Sequence, residues 1–154
     1  MLQKIRNWFR KSRRIAFLDG DQSIPFTIKA YTKYLANTGT EVHLIRMKPD
    51  GSKEPKALRN LDDTINKIYL SGYSTGKEVV DKFIAAYIQR AVTEGYDQIT
   101  VVSSDYDFID IFKMAVQVNP QAGQVTFRII IPNVRGRLAE LPEQLFNIEV
   151  IKCD

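Results

Sequence analysis

The stretch Asp97-Gln98-Ile99-Thr100-Val101-Val102-Ser103-Ser104-Asp105-Tyr106-Asp107-Phe108 constrains this chain more than any other. Ile99 to Val102 is a short β-friendly, mostly apolar run between a turn and a helical pattern. Such a run predicts a strand buried on both faces, as in a parallel sheet. Two serines and two aspartates follow where the strand should end. In open α/β sheets, ligands bind outside the carboxyl ends of the strands, so acids at that point are candidates for chemistry.

The rest of the chain supplies matching elements. Ile15-Ala16-Phe17-Leu18 reads as a second buried strand, ending in Asp19 and Asp21. Ser23 and Pro25 predict a helix start, with the helix running to about Ala36 and closed by Asn37 and Gly39. Glu41–Met47 reads as a strand, 48–66 as a long loop with a short helix near Leu58–Ile65, and Ile68–Leu70 as a short strand. The spacing predicts a helix over Ser74–Gly95, opened by a capping box of Thr75 and Glu78. Phe108, Ile111, Phe112, Ala115 and Val116 mark another helix, stopped at Asn119-Pro120. Gln124–Ile131 reads as a strand, Leu138–Gln144 as a short helix and Ile148–Ile151 as a last strand. Alternating strands and helices predict an α/β sandwich with a mainly parallel sheet.

The length of 154 residues suits one domain with a proper core. No apolar run approaches the ~18 residues of a membrane span, and no secretory signal follows the first methionine. Cys153 is the single cysteine, which excludes an internal disulfide and zinc-type spacing. A reducing, cytoplasmic setting is expected. The net charge of +4 is uneven: residues 1–14 hold six basic side chains and no acid, leaving 16 basic and 18 acidic residues beyond them. Residues 1–13 therefore read as a basic arm, amphipathic through Leu2, Ile5, Trp8 and Phe9, and 14–154 as the domain. The arm has three readings: docking on the domain, gripping a nucleic-acid backbone, or lying on an anionic membrane surface.

On the helix over Ser74–Gly95, Lys77, Asp81, Ile84, Ala85, Ile88 and Val92 fall on one face. Asp81 is thus aimed at the sheet. Together with Asp19, Asp21, Asp105 and Asp107 at the strand ends it makes an acidic constellation. Two carboxylates ~5 Å apart at an effective dielectric near 20 repel by roughly 3 kcal/mol. Several such pairs reach on the order of 10 kcal/mol, comparable to a domain's whole stability. The cluster must protonate, spread apart or hold a cation. Oxygen-only donors favour Mg²⁺ or Mn²⁺ over zinc, and such an ion can polarise a phosphoryl oxygen and activate water. The plainer reading is that each acid caps a helix or pairs with a lysine.

The segments Phe17-Leu18-Asp19-Gly20-Asp21-Gln22, Gly76-Lys77-Glu78-Val79-Val80-Asp81 and Val102-Ser103-Ser104-Asp105-Tyr106-Asp107-Phe108 together resemble the NYN domain family of PIN-like ribonucleases. The resemblance covers roughly residues 14–152. It implies a three-layer α/β/α, PIN-like sandwich and Mg²⁺- or Mn²⁺-dependent cleavage of RNA. By position it implies Asp19, Asp81, Asp105 and Asp107 as metal-binding, catalytic acids. Lys77, Ser103, Ser104 and Gln22 would contact substrate or steady the acids. Gln22 stands at the family's usual Asn, Ser104 where Gly or Lys is common, and Tyr87 near the place of a further acid.

Two other functions compete with an endoribonuclease. Asp19-Gly20-Asp21 resembles the opening of haloacid-dehalogenase-type phosphatases, where the first Asp is a nucleophile. An RNA- or partner-binding module without turnover would use the arm, Arg135 and Arg137 for backbone contacts. A protein partner or a homodimer stays open. His43 reads as structural or exposed, and Tyr31, Tyr34 and Tyr87 as core or core-edge. Tyr73 and Tyr106 are placed near the pocket mouth, where an aromatic ring can stack on a base.

Overall fold

The computed structural model describes residues 12–48, 54–61, 63–71, 78–105, 107–133, 142, 144–145 and 147–154. In chain order these give β1 (Arg14–Asp19), α1 (Ile24–Ala30) with a π-helical turn (Tyr31–Leu35), β2 (Glu41–Met47), α2 (Lys56–Arg59) and β3 (Asn66–Leu70). Then come α3 (Glu78–Thr93), β4 (Gln98–Val102), α4 (Asp107–Val118), a 3-10 turn (Pro120–Gln124), β5 (Thr126–Pro132), β6 (Gln144–Leu145) and β7 (Ile148–Cys153). The strands form one sheet in the order β3-β2-β1-β4-β5-β7-β6. Every pairing is parallel except that of the two-residue β6, which runs antiparallel to β7 at one edge.

Side chains alternate across a strand, so each strand serves both faces. Phe17, Ile45, Val101 and Ile129 pack on one face with Ile84 and Ile88 of α3 and Phe108 and Phe112 of α4. The Phe112 and Phe127 rings stack there with centroids 4.7 Å apart. Ala16, Leu18, Leu44, Val102 and Ile130 pack on the other face with Ala30, Tyr31, Leu35 and Leu58. Helices on both faces of a parallel sheet make the expected three-layer α/β/α sandwich. Among the described residues no helix is long and apolar enough to cross a membrane.

Several details differ from the sequence pattern. The helix after Ser23 does reach Leu35, but its last turn is π-helical, with the Ala36 amide donating to the Tyr31 carbonyl at 2.9 Å. Asn37 (φ 61°) and Gly39 (φ 75°) then close it, as expected. Ser23 occupies the N-cap without a side-chain cap bond. Its carbonyl instead accepts from both the amide and the hydroxyl of Thr27. The short helix expected near Leu58–Ile65 begins two residues earlier, at Lys56, and buries Leu58, while Leu61 and Ile65 stay anchored in the core as turn residues. The helix expected over Leu138–Gln144 is corrected at its end, because Gln144 pairs with Glu149 as a strand residue; residues 138–141 lie outside the described residues. So do Thr75 and the rest of the expected capping box up to Lys77, and residues 1–11 of the arm. Arg13 belongs to the body: its guanidinium donates to the Glu94 carbonyl at 2.7 Å and lies 4.2 Å from the Tyr96 ring centroid.

The chain steps from β1 to β2 and β3 on one side, then returns through α3 to lay β4, β5 and β7 on the other. Right-handed crossovers send helices to opposite faces when the direction of travel reverses. A crevice therefore opens at the carboxyl ends of β1 and β4, the place where open α/β sheets bind ligands. Asp19 ends β1 and Ser103 follows β4, so the reversal itself brings the first and third sequence motifs together.

Gly20 keeps the tip of β1 close to β2. Its amide donates to the Ile45 carbonyl at 2.8 Å, and a β-carbon there would overlap Arg46 Cβ and sit 2.7 Å from the Ile45 oxygen. Gly123 has nothing within 4 Å of such a carbon. Gly20→Ala is expected to lower unfolding free energy by about 1–3 kcal/mol. Gly123→Ala should stay within about 0.5 kcal/mol of the parent in urea denaturation.

Candidate metal centre at the carboxyl rim

A cavity of about 330 Å³ lies in this crevice, lined by Asp19, Asp21, Gln22, Asp81, Ser104 and Asp105. Three separate elements supply its acids. Asp19 is the last residue of β1, Asp105 lies between β4 and α4, and Asp81 is the fourth residue of α3. Asp81 stands at the top of the α3 stripe formed by the buried Ile84, Ile88 and Val92, which confirms its inward aim.

Asp19 is 1% exposed. A buried carboxylate without donors would be costly, and this one has three. Ser103 Oγ donates to Oδ2 at 2.7 Å and Gln22 Nε2 to the same oxygen at 3.3 Å. The Asp21 amide donates to Oδ1 at 3.2 Å. Burial still dominates and raises the Asp19 pKa, the negative charge of Asp21 adding to it against the three hydrogen bonds.

The buried Ser103 hydroxyl also accepts the Asp105 amide at 3.0 Å. Asp105 Oδ1 accepts the Asp107 amide at 2.9 Å, an N-cap type bond that opens α4. The plainer reading of Asp105 as a helix cap thus holds alongside its place in the cavity. Asp81 is pushed up to about 8, first by burial, then by a hydrogen bond to Asp105 and the charges of Asp19, Asp105 and Asp21.

Of the residues singled out by sequence, the structure brings Asp19, Asp81, Asp105, Gln22 and Ser104 onto one cavity and puts Ser103 directly behind Asp19. Asp107 is not in the lining: it is exposed in the first turn of α4, where the helix dipole favours an acid. Asp21, placed on the rim by its strand position, does line the cavity. Lys77, Tyr73, Tyr106, Arg135 and Arg137 lie outside the described residues.

His43 serves elsewhere, in a cavity of about 290 Å³ at the amino ends of the strands, with Glu41, Asn66 and Tyr87. It hydrogen-bonds to Glu41 and Asn66 and stacks on Phe17, on which Tyr87 also stacks. Both residues thus have the structural roles expected of them.

The ionisable donors lining the rim cavity are all carboxylates, with no imidazole or thiol, which fits a hard divalent cation. Among the described residues no three such groups are already drawn to ligand-shell spacing. Comparison with protein-family models and with curated proteins finds no match for this chain.

The raised Asp81 pKa makes a signed prediction. Between its ordinary 3.8 and about 8 the folded state binds a proton that the unfolded chain has released. Stability then falls as pH rises through that window. Without divalent ions, the thermal midpoint should drop from pH 5 to pH 8, and Asp81→Asn should flatten this slope. A wild-type midpoint that rises toward pH 8 would contradict it.

Proposed function

We propose that this protein is a metal-dependent endoribonuclease that hydrolyses RNA phosphodiester bonds at the carboxyl-rim cavity. The observation that carries this reading is the convergence of Asp19, Asp81 and Asp105 from three elements onto one cavity, where burial first and then the neighbouring acids push Asp81 up to about 8. The substrate class is supported by the NYN-like motifs: of their four acids, Asp19, Asp81 and Asp105 line the cavity and Asp107 does not.

Asp19, Asp81 and Asp105 would hold Mg²⁺ or Mn²⁺, with Asp21 beside them. A bound ion supplies charge neutralisation of the phosphate oxygens and a lowered pKa for water. The chain's own residues do the positioning. Ser103 and the Asp21 amide fix the Asp19 carboxylate. Asp105 is held by the Ser103 hydroxyl on one side and by the first turn of α4 on the other. Asp107, exposed outside the lining, receives no ion-holding role. A cytoplasmic setting goes with this reading.

The test is cleavage of single-stranded RNA by the full chain with Mn²⁺. Internal cleavage is expected, abolished by EDTA and reduced at least about 100-fold in Asp105→Asn, the scale of losing one transition-state charge stabiliser. Equal cleavage by both proteins would remove Asp105 from the mechanism. Salt-sensitive RNA binding without cleavage under any divalent ion would favour a binding module instead.

A further inference from the structure

We infer that Gln22 and Ser104 form a strap across the β1/β4 crevice, and that both are positioning residues for Asp19 rather than contacts to substrate. The inference rests on the metal-centre reading above.

The Gln22 side chain lies in the loop between β1 and α1, and Ser104 lies in the loop between β4 and α4, 82 residues away. Gln22 Oε1 accepts the Ser104 amide at 3.2 Å and also the Ser104 hydroxyl. A backbone N–H can only donate, so the amide oxygen must face Ser104, and this settles which way the amide is turned. Its NH₂ group consequently faces Asp19, donating to Oδ2 at 3.3 Å. The carbonyl's two lone pairs are both committed to Ser104, and one N–H is committed to Asp19.

The consequence lies at Asp19. An ionised carboxylate has about four acceptor positions. Ser103 and Gln22 occupy both on Oδ2, and the Asp21 amide occupies one on Oδ1. A single lone pair on Oδ1 is left for a ligand, so the strap selects the oxygen that Asp19 can offer. It also ties the two loops directly, beside the Ser103–Asp19 bond at the base of the crevice. Both loops carry cavity acids, Asp21 on one and Asp105 on the other. Their separation governs whether the acids can share an ion.

The test uses the full chain and Mn²⁺ itself. Gln22→Met keeps the length of the side chain and removes both hydrogen-bonding ends; Ser104→Ala removes the hydroxyl. Each is expected to weaken Mn²⁺ binding in calorimetry by about 10-fold or more, the usual effect of losing a group that orients a ligand. The double variant should bind no more weakly than Gln22→Met, since residues acting through one contact are non-additive. In metal-free protein, Gln22→Met should also speed hydrogen exchange at the Ser104 amide by about 10-fold or more while amides in the centre of β4 are unchanged. Unaltered Mn²⁺ affinity in Gln22→Met, or additive losses in the double variant, would overturn the strap. Fast Ser104 exchange in the metal-free wild type would overturn it as well, leaving the metal centre intact. Wild-type protein that takes up no Mn²⁺ would instead sink the metal centre, and the strap's role with it.

Discussion

The solvation of one buried carboxylate organises the rim of this sheet. Asp19 sits at the end of a central strand, almost out of reach of water. An uncompensated charge there would cost several kcal/mol. The donors that offset this cost come from the segments after both β1 and β4, so neither segment is free to choose its own conformation. Ser103 carries the constraint furthest. By donating to Asp19 and accepting from the Asp105 amide, it hands the geometry on to Asp105, which in turn opens α4. The ladder does the same work on the flanks, with Gly20 tied to Ile45 and Ser103 tied to Ile130 through backbone bonds.

Electrostatics then sets the rim against the stability of the fold. Asp81 arrives on a helix whose next turns are buried in the core, so it cannot swing away from Asp19, Asp21 and Asp105 without moving that helix. Keeping its own proton, through a pKa raised to about 8, is the available relief in the metal-free protein. Consistency between local and global preferences is what specifies a fold, and violations gather where a chain does chemistry. The carboxyl rim is such a violation, whereas the amino rim, with His43 and Glu41 mutually satisfied, is not.

The layers and most element boundaries were legible because strand and helix periods differ and this chain keeps both cleanly. The acidic rim was legible because parallel strands put their carboxyl ends on one side. Spacing alone could not separate Asp21 from Asp107. Each lies two residues beyond a strand-end acid, but Asp107 already belongs to a helix and turns outward, while Asp21 lies in a loop that stays at the cavity. The Gln22–Ser104 contact carried no local signal, since it exists only once the sheet has brought two distant loops together. The π-helical turn and the brief β6 pairing likewise follow from tertiary packing, which outweighs local pattern in short segments.

The most direct measurement is a Mg²⁺ titration followed by carboxyl-carbon NMR at Asp19, Asp81 and Asp105. If the three acids serve one ion, their resonances shift together along a single saturation curve. The Asp81 pKa falls from near 8 into the ordinary carboxylate range as the ion replaces its proton. Three unrelated curves, or no shift at Asp19 while exposed acids respond, would mean that these carboxylates do not form one site.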